Sequence, residues 1–348
     1  MFFSILKTTL KIAFTFAGTL IGAGFASGQE LLQFFITYGS FGFCGILFAG
    51  LLFSFMSWRL LAISHQFQLH TYTDFIYFLF PPKIACFFEY TITCFLFTVL
   101  VIMFAASGDI ANDLFFVSPN YGYLILSIFI IFSALKGFHS ITKINSYVTP
   151  FLAGVIILIS LNSLLYHHFS FDMIKNAALY STQPAPSWLL ACILYVSYNL
   201  ILSTAILVPL GSSVHNKKAL KYGSLVGGIT LMLLSFLIVS TLISHSPEIL
   251  SLPIPMLTIS CAQNQLHAFL YTFIFIIAMF TTSLSCLYGC ANKLKSVLPI
   301  SYPLSLLLIV LFSLCFTKIG FSQLIATVFP CFGYIGLLIL LKLVFKTI

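Results

Sequence analysis

Long apolar runs, interrupted at intervals by Pro, Gly, Ser and isolated charges, are the dominant pattern along the chain. A helix needs about 20 such residues to cross roughly 30 Å of hydrocarbon. Ten segments meet that template: approximately 8–37, 39–64, 83–107, 121–136, 140–166, 187–210, 218–244, 265–291, 301–317 and 320–345. Turn-rich strings separate them, namely FPPK (80–83), SPNYG (118–122), STQPAPS (181–187) and HSPEILSLPIP (245–255). The stretch TYTDFIYFLF (71–80) is too short to span and reads as an amphipathic helix lying along the membrane surface. The pattern predicts an all-α polytopic membrane protein with about ten transmembrane helices, a single transmembrane domain over 1–348.

Two spans carry polar or flexible interruptions. The first contains FAGTLIGAGFASGQELLQFF (16–35), and backbone groups freed by a break inside a bilayer must face protein or a polar cavity. Ser27 followed by Glu30 has the S-x-x-E spacing of a capping box, which predicts two half-helices, one ending near Ile21 and one starting near Gly28. The sixth span carries Ser197, Tyr198 and Asn199 at comparable depth, with Ser203 and Thr204 beyond. Such residues compete for backbone hydrogen bonds, so this span is expected to be broken as well. Ala23 and Ser197 are 174 positions apart, half of 348. That offset divides the chain into halves at about 8–166 and 187–345, each opening on an interrupted span, the layout of an inverted-repeat transporter whose site lies at the breaks. The competing reading of the glycines is a close helix-packing surface.

The eighth span adds a polar face: Ala278, Thr281, Thr282 and Ser285 recur at offsets of three, four and seven, on one side of a helix. Hydroxyl and carbonyl oxygens suit a small hard cation, although hydroxyls in helices also bond to their own backbone.

Composition supports lipid as the solvent. The chain is 60% hydrophobic and 6% charged, whereas soluble domains carry roughly a quarter charged residues. The net charge of +8 comes from 15 basic and 7 acidic residues scattered between apolar runs, so there is no basic stripe for nucleic acid. Nine cysteines, odd in number and without a C-x-x-C pair, read as buried thiols rather than metal ligands. Lys7, Lys11 and small residues near Ala26 imitate a signal peptide, but the many spans that follow favour a retained first helix. With the N-terminus inside, thirteen basic residues fall on the inner side and only Lys175 and Lys318 outside, the asymmetry expected of ten spans with both termini cytoplasmic.

Three strings resemble known proteins. AGTLIGAGF (17–25) is similar to the unwound first helix of LeuT-fold sodium-coupled transporters, and AMFTTSLS (278–285) to their sodium-binding eighth helix. IGAGFASGQELLQFF (21–35) resembles the YkvI-like family of bacterial membrane proteins, distant members of the amino acid-polyamine-cation superfamily. The resemblance implies a LeuT-like 5+5 inverted repeat with helices 1 and 6 broken, in the bacterial cytoplasmic (inner) membrane. It implies a sodium site made by the carbonyls of Gly18, Ile21 and Ala278 and the hydroxyls of Thr281 and Thr282. A second sodium site in that superfamily uses an asparagine where Phe25 stands, so one cation is expected. The substrate would lie against Gly22, Ala23, Gly24, Ser197, Tyr198 and Asn199, with Ser27 and Glu30 at the second half-helix.

Glu30 and Glu89 are the acids inside predicted spans, where ionisable groups mark function by default. Glu30 serves either as a helix cap or as a proton- or substrate-binding group. Glu89 is solvated or paired near the inner face. The eight histidines sit in loops or at span ends, and no Ser-His-acid order, H-E-x-x-H or Walker motif occurs, so an enzyme is not expected. The reading is a secondary active transporter of a small polar solute, an amino acid, amine or similar, coupled to Na+ or H+ by alternating access and needing no other cofactor. Its partners are a small-molecule substrate and membrane lipid, without nucleic acid. The alternative is a transporter-like sensor that binds a solute without moving it.

Overall fold

A computed structural model describes residues 2–113, 116–166, 171–178, 183–246, 248–252, 254–317 and 321–346. Lys318 and the loop positions Ser181, Thr182, Pro247 and Pro253 lie outside the described residues.

The first span is divided into α1 (Phe2–Leu20), α2 (Ala23–Ser27) and α3 (Gln29–Phe34), followed by a 3-10 turn at Ile36–Tyr38. Then come α4 (Ser40–Phe67), α5 (Tyr72–Leu79), α6 (Pro82–Asp113), α7 (Pro119–Leu135), α8 (Phe138–Tyr166) and α9 (Phe171–Ala177). The second part holds α10 (Trp188–Ser213), α11 (Lys217–Ser244), α12 (Pro255–Gln263), α13 (Gln265–Val297), α14 (Tyr302–Leu314) and α15 (Phe321–Phe345). Among the described residues seven helices, α4, α6, α8, α10, α11, α13 and α15, are long and apolar enough to cross a membrane. With the shorter apolar helices α7 and α14 and the divided first span, they account for the ten predicted segments. The short helices α9 and α12 lie in segments expected to be loops.

Local chemistry sets the helix starts. Ser187 accepts from Leu190 N–H at 3.3 Å before α10, and Asn264 accepts from His267 N–H at 2.8 Å before α13. Asn216 takes the N–H groups of Lys218 and Ala219 before α11, so each cap satisfies donors that a helix start leaves free. The amphipathic segment 71–80 forms α5 behind a complete capping box: Asp74 N–H bonds Thr71 Oγ1 at 3.1 Å and Thr71 N–H bonds Asp74 Oδ2 at 2.9 Å. It buries Tyr72, Phe75, Ile76 and Leu79.

α10 forms the centre. Every residue from Leu194 to Ser212 is buried, enclosed chiefly by α4, α15, α1 and α13. α1 packs between α11 and α8. Large apolar side chains such as Leu51, Phe129, Phe132 and Leu165 face outward, as an integral membrane protein requires when lipid is its solvent. Arg59 on α4 reaches the C-terminal end of α15, donating to the carbonyls of Leu343 (2.9 and 3.2 Å), Val344 (3.3 Å) and Lys346.

The expected break in the sixth span is corrected: α10 runs as one helix through Ser197, Tyr198 and Asn199. Its polar side chains find acceptors without unwinding. Asn199 Nδ2 donates to Tyr195 O (2.9 Å), Ser203 Oγ to Leu200 O (2.9 Å) and Thr204 Oγ1 to Ile201 O (2.6 Å). Pro209 lies within the helix without ending it.

Candidate functional site

The break in the first span sits where α1 ends. Ile21 N–H still reaches Ala17 O at 2.8 Å, but Gly22 N–H turns to Leu20 O at 2.8 Å, and Gly22 is extended with φ −94° and ψ −172°. α2 restarts with Ala26 N–H on Gly22 O at 2.9 Å. Gly28 then takes a left-handed conformation, φ 86°, closing α2 and opening α3. A β-carbon there would lie 2.8 Å from Leu242 Cδ1, a side-chain end that can shift, so it is the left-handed conformation that demands glycine. The second half-helix therefore starts at Ala23 and bends at Gly28, instead of starting near Gly28.

The predicted capping box is also corrected. Ser27 Oγ donates to Gly24 O (2.9 Å) and accepts from Gln29 N–H (3.2 Å), while Glu30 does not return to the Ser27 backbone. The left-handed Gly28 separates the two residues, and Glu30 instead accepts a hydrogen bond from the Tyr198 hydroxyl, 2.8 Å to Oε2. Its side chain lies over Gly24, where a β-carbon would overlap Oε1 and approach Cδ to 2.8 Å and Cγ to 2.9 Å. The Tyr198 ring is set among Phe329 (4.8 Å between centroids), Phe34 (5.4 Å), Tyr195 (5.6 Å) and Phe95 (6.2 Å). Glu30, Tyr198 and the rings of Phe34, Phe95 and Phe329 are all buried.

Gly24, Glu30 and Tyr198 are thus brought together, and Ser27 adjoins them through Gly24. Ser197 and Asn199 are engaged elsewhere: Ser197 Oγ donates to Gly333 O on α15 at 2.8 Å, and Asn199 bonds within its own helix. Gly22 abuts α13, where Thr282 Oγ1 would lie 2.8 Å from an added β-carbon, and Ala23 is fully buried beside it.

Among the residues expected to bind a cation, Thr281 Oγ1 donates to Ala278 O at 3.1 Å. Thr282 Oγ1 is buried with no hydrogen-bond partner among the described residues. An unsatisfied buried hydroxyl carries a desolvation cost, and its lone pairs, next to the carbonyl end of α1, are neutral oxygen donors of the kind a hard cation takes. Gly18 is held against α8, where a β-carbon would overlap Thr149 Oγ1. Asn145 on the same helix is fully buried, its Oδ1 unpartnered among the described residues. Thr142, Asn145 and Thr149 recur at offsets of three and seven, the periodicity that marked span eight, but sequence reasoning passed over this face. It also missed Tyr271, whose hydroxyl donates to the Ala26 carbonyl from α13.

A second polar cluster lies away from the break. Lys293 Nζ contacts Glu89 Oε1 at 2.5 Å, and Thr73 Oγ1 donates to the same oxygen at 2.8 Å. Lys293 and Thr73 line a cavity of about 220 Å3 together with His70, Thr71, Asp74, Tyr288 and Asn292. Glu89 is therefore paired, one of the two states expected of it.

No family model matches the chain. The chain is 31% identical over 333 residues to the uncharacterized membrane protein YkvI of Bacillus subtilis (strain 168), covering 94% of this chain and 92% of that protein. It is 26% identical over 339 residues to the uncharacterized protein YyaD of the same organism, covering 97% and 96%. Among solved structures, a Na+-coupled sialic acid symporter in a substrate-bound outward-open state aligns with a TM-score of 0.68 at 12% identity, over 94% of this chain and 75% of that one. MhsT in complex with L-phenylalanine aligns at 0.65 and 13% identity, over 94% and 87%. Inward-facing Mhp1 aligns at 0.60 and 13% identity, over 94% and 73%. At such identities the likeness is one of fold.

Proposed function

We propose a function from one premise: the chain belongs to the YkvI family of membrane proteins and has the LeuT fold. It is a secondary active transporter that moves a small polar solute, an amino acid, amine or similar, by alternating access. One cation, Na+ or H+, couples the movement, and the two halves of five spans act as an inverted repeat. The observation that carries this reading is the break at Ile21–Gly22, pressed against an α13 hydroxyl that has no partner. Broken backbone beside unsatisfied oxygen is where a transporter binds its coupling ion. The similar folds support the reading, since they include a Na+-coupled symporter and a protein solved with an amino acid. Gly18, Ile21, Ala278, Thr281 and Thr282 are the proposed sodium ligands. Uptake of labelled solute into proteoliposomes along an imposed Na+ or H+ gradient tests the function, because a sensor binds without accumulation.

Sodium raises the thermal midpoint of a protein that binds it in the folded state. Thr281→Ala combined with Thr282→Ala is expected to abolish that rise. Thr282 Oγ1 has no partner to lose, so its removal should not itself lower sodium-free stability. A sodium-dependent rise that survives both substitutions removes these hydroxyls from the site. An unmodified protein indifferent to sodium turns the reading to proton coupling.

The proposed topology has both termini cytoplasmic in the bacterial inner membrane. In a chain with its native cysteines replaced, cysteines at positions 113 and 172 should react with an impermeant thiol reagent from outside, and one at Lys218 should not. External labelling at 218 overturns that orientation.

A further inference from the structure

We propose that the groove between α6, α7 and α13 seats an acyl chain of a membrane phospholipid, held as a bound ligand rather than exchanging freely with the surrounding bilayer. The inference is independent of the transport reading and of whatever ion or solute the first-span break takes.

Three observations carry it. The first is the size and chemistry of the groove. Its volume is about 670 Å3, within the range of pockets that enclose organic ligands. Ser107 on its inner wall spends its hydroxyl on its own helix, donating to Phe104 O at 2.7 Å, and Tyr121 stands at the exposed rim. A polar solute would therefore give up its hydration inside without a hydrogen bond in return, whereas hydrocarbon forfeits nothing there.

The second observation is where the groove opens. Tyr121, Ile125 and Phe129, spaced four apart along α7, form the rim and are all exposed. They adjoin Leu124, Ile128 and Phe132, the next row round the same helix, which face outward into lipid. The groove is thus continuous with the lipid-facing surface of the protein, and what reaches its mouth is the hydrocarbon of the bilayer.

The third is that the groove is built into the packing. A β-carbon at Gly122 would overlap the Ser107 carbonyl oxygen, and one at Gly108 would overlap the Tyr123 ring. Small residues let α6 and α7 approach closely, as they do between helices in membranes. That contact fixes α7 on α6 while leaving an opening toward α13, whose half-buried Ile276, Ile277 and Phe280 form the floor. Ile276 and Phe280 lie on the side of α13 away from Thr281 and Thr282, so the groove is separate from the proposed cation ligands.

Lipid tails are as apolar as leucine, so no hydrophobic gain draws the chain in from the bilayer. Dispersion holds it: walls left without partner atoms lose their contacts outright, and a flexible chain is the bilayer component that can follow an irregular slot.

The test places the full-length protein in phosphatidylglycerol nanodiscs containing a tracer phosphatidylglycerol with a mid-chain diazirine, and maps photolabelled residues by mass spectrometry. Labelling of Ile277 and Phe280 on the floor is expected at a level no lower than that of Ile128 on the open face. Native mass spectrometry after extraction in dodecyl maltoside should also show a retained phospholipid. Ile125→Trp combined with Ile276→Trp fills the groove and should cut floor labelling by at least about tenfold, the equivalent of about ten lost carbon–carbon contacts. Ile128→Trp, outside the groove, should leave floor labelling unchanged. The measurements on the unmodified chain stand even if the filled variant fails to fold. An unlabelled floor beside a labelled Ile128 overturns the proposal, as does undiminished floor labelling in a folded filled variant. Loss of all phospholipid on extraction overturns it too, since the groove is then ordinary solvated surface. A cysteine at position 125 that cross-links two copies, with the floor unlabelled, overturns it in favour of a second copy of this chain.

Discussion

Glu89→Ala is expected to lower the stability of the folded protein by about 3–5 kcal/mol, the cost of leaving one member of a buried ion pair alone. Glu89 and Lys293 are 5% and 10% exposed at their side chains, so the substitution leaves a largely buried ammonium without its ion-pair partner. What remains near Lys293 is the face of Tyr90, 4.9 Å from Nζ to the ring centroid, which offsets only a fraction of that loss. Thr73 on α5 also loses its acceptor, so the substitution loosens the joint between α5, α6 and α13. Thermal unfolding in detergent measures the effect. Replacing both partners, Glu89→Leu with Lys293→Met, should recover most of the lost stability because no charge is left stranded. A double variant as unstable as the single one would show that packing, not charge, holds this joint.

Two glycines should respond to one added methyl by different routes. At Gly42 a β-carbon would overlap the Phe35 carbonyl oxygen and lie 2.8 Å from its carbon and 3.4 Å from Cα. All three are backbone atoms of the corner between α3 and α4, which cannot turn aside. Gly42→Ala should therefore cost about 3 kcal/mol, the upper end of the overpacking range. At Gly24 the overlapped atoms belong to one flexible side chain, that of Glu30. Gly24→Ala should displace Glu30 from Tyr198, and the buried carboxyl that loses its hydrogen bond should lower the stability by about 1–3 kcal/mol. Thermal unfolding of both variants in detergent measures the effects. A stable Gly42→Ala, or Gly24→Ala with the parental midpoint, contradicts the geometry at that position.

The spans were legible because lipid imposes a length and a composition on every crossing helix; the caps at Asn216 and Asn264 were passed over and emerge from the structure. The break at Ile21–Gly22 was legible for a related reason: three closely spaced glycines in an apolar segment give the backbone little reason to stay helical. Ser197, Tyr198 and Asn199 misled because the same hydroxyl and amide groups that tolerate an unwound backbone also fold back onto an intact one. Local sequence does not distinguish the two; the tight enclosure of α10 by its neighbours accompanies the intact form. Ser27 and Glu30 misled differently. The spacing was right, but a left-handed glycine between them and a phenol 168 positions away decided where the carboxylate went. The helices α9 and α12 are short segments with Pro or charge nearby, and nothing in their pattern separates a brief helical turn from a loop.

The contact of Arg59 with the end of α15 bears on how the chain is completed during synthesis. The guanidinium is made with the second span, yet its acceptors at Leu343, Val344 and Lys346 follow 284 to 287 residues later. At a synthesis rate of ~5–20 residues per second, that separation amounts to roughly 15–60 s. Through that interval a charged side chain on an inserted helix relies on water or lipid headgroups, reaching them along its flexible stem. The corner where α4 meets α15 is therefore assembled after most of the bundle exists, and the ribosome, rather than the bilayer, sets when it closes.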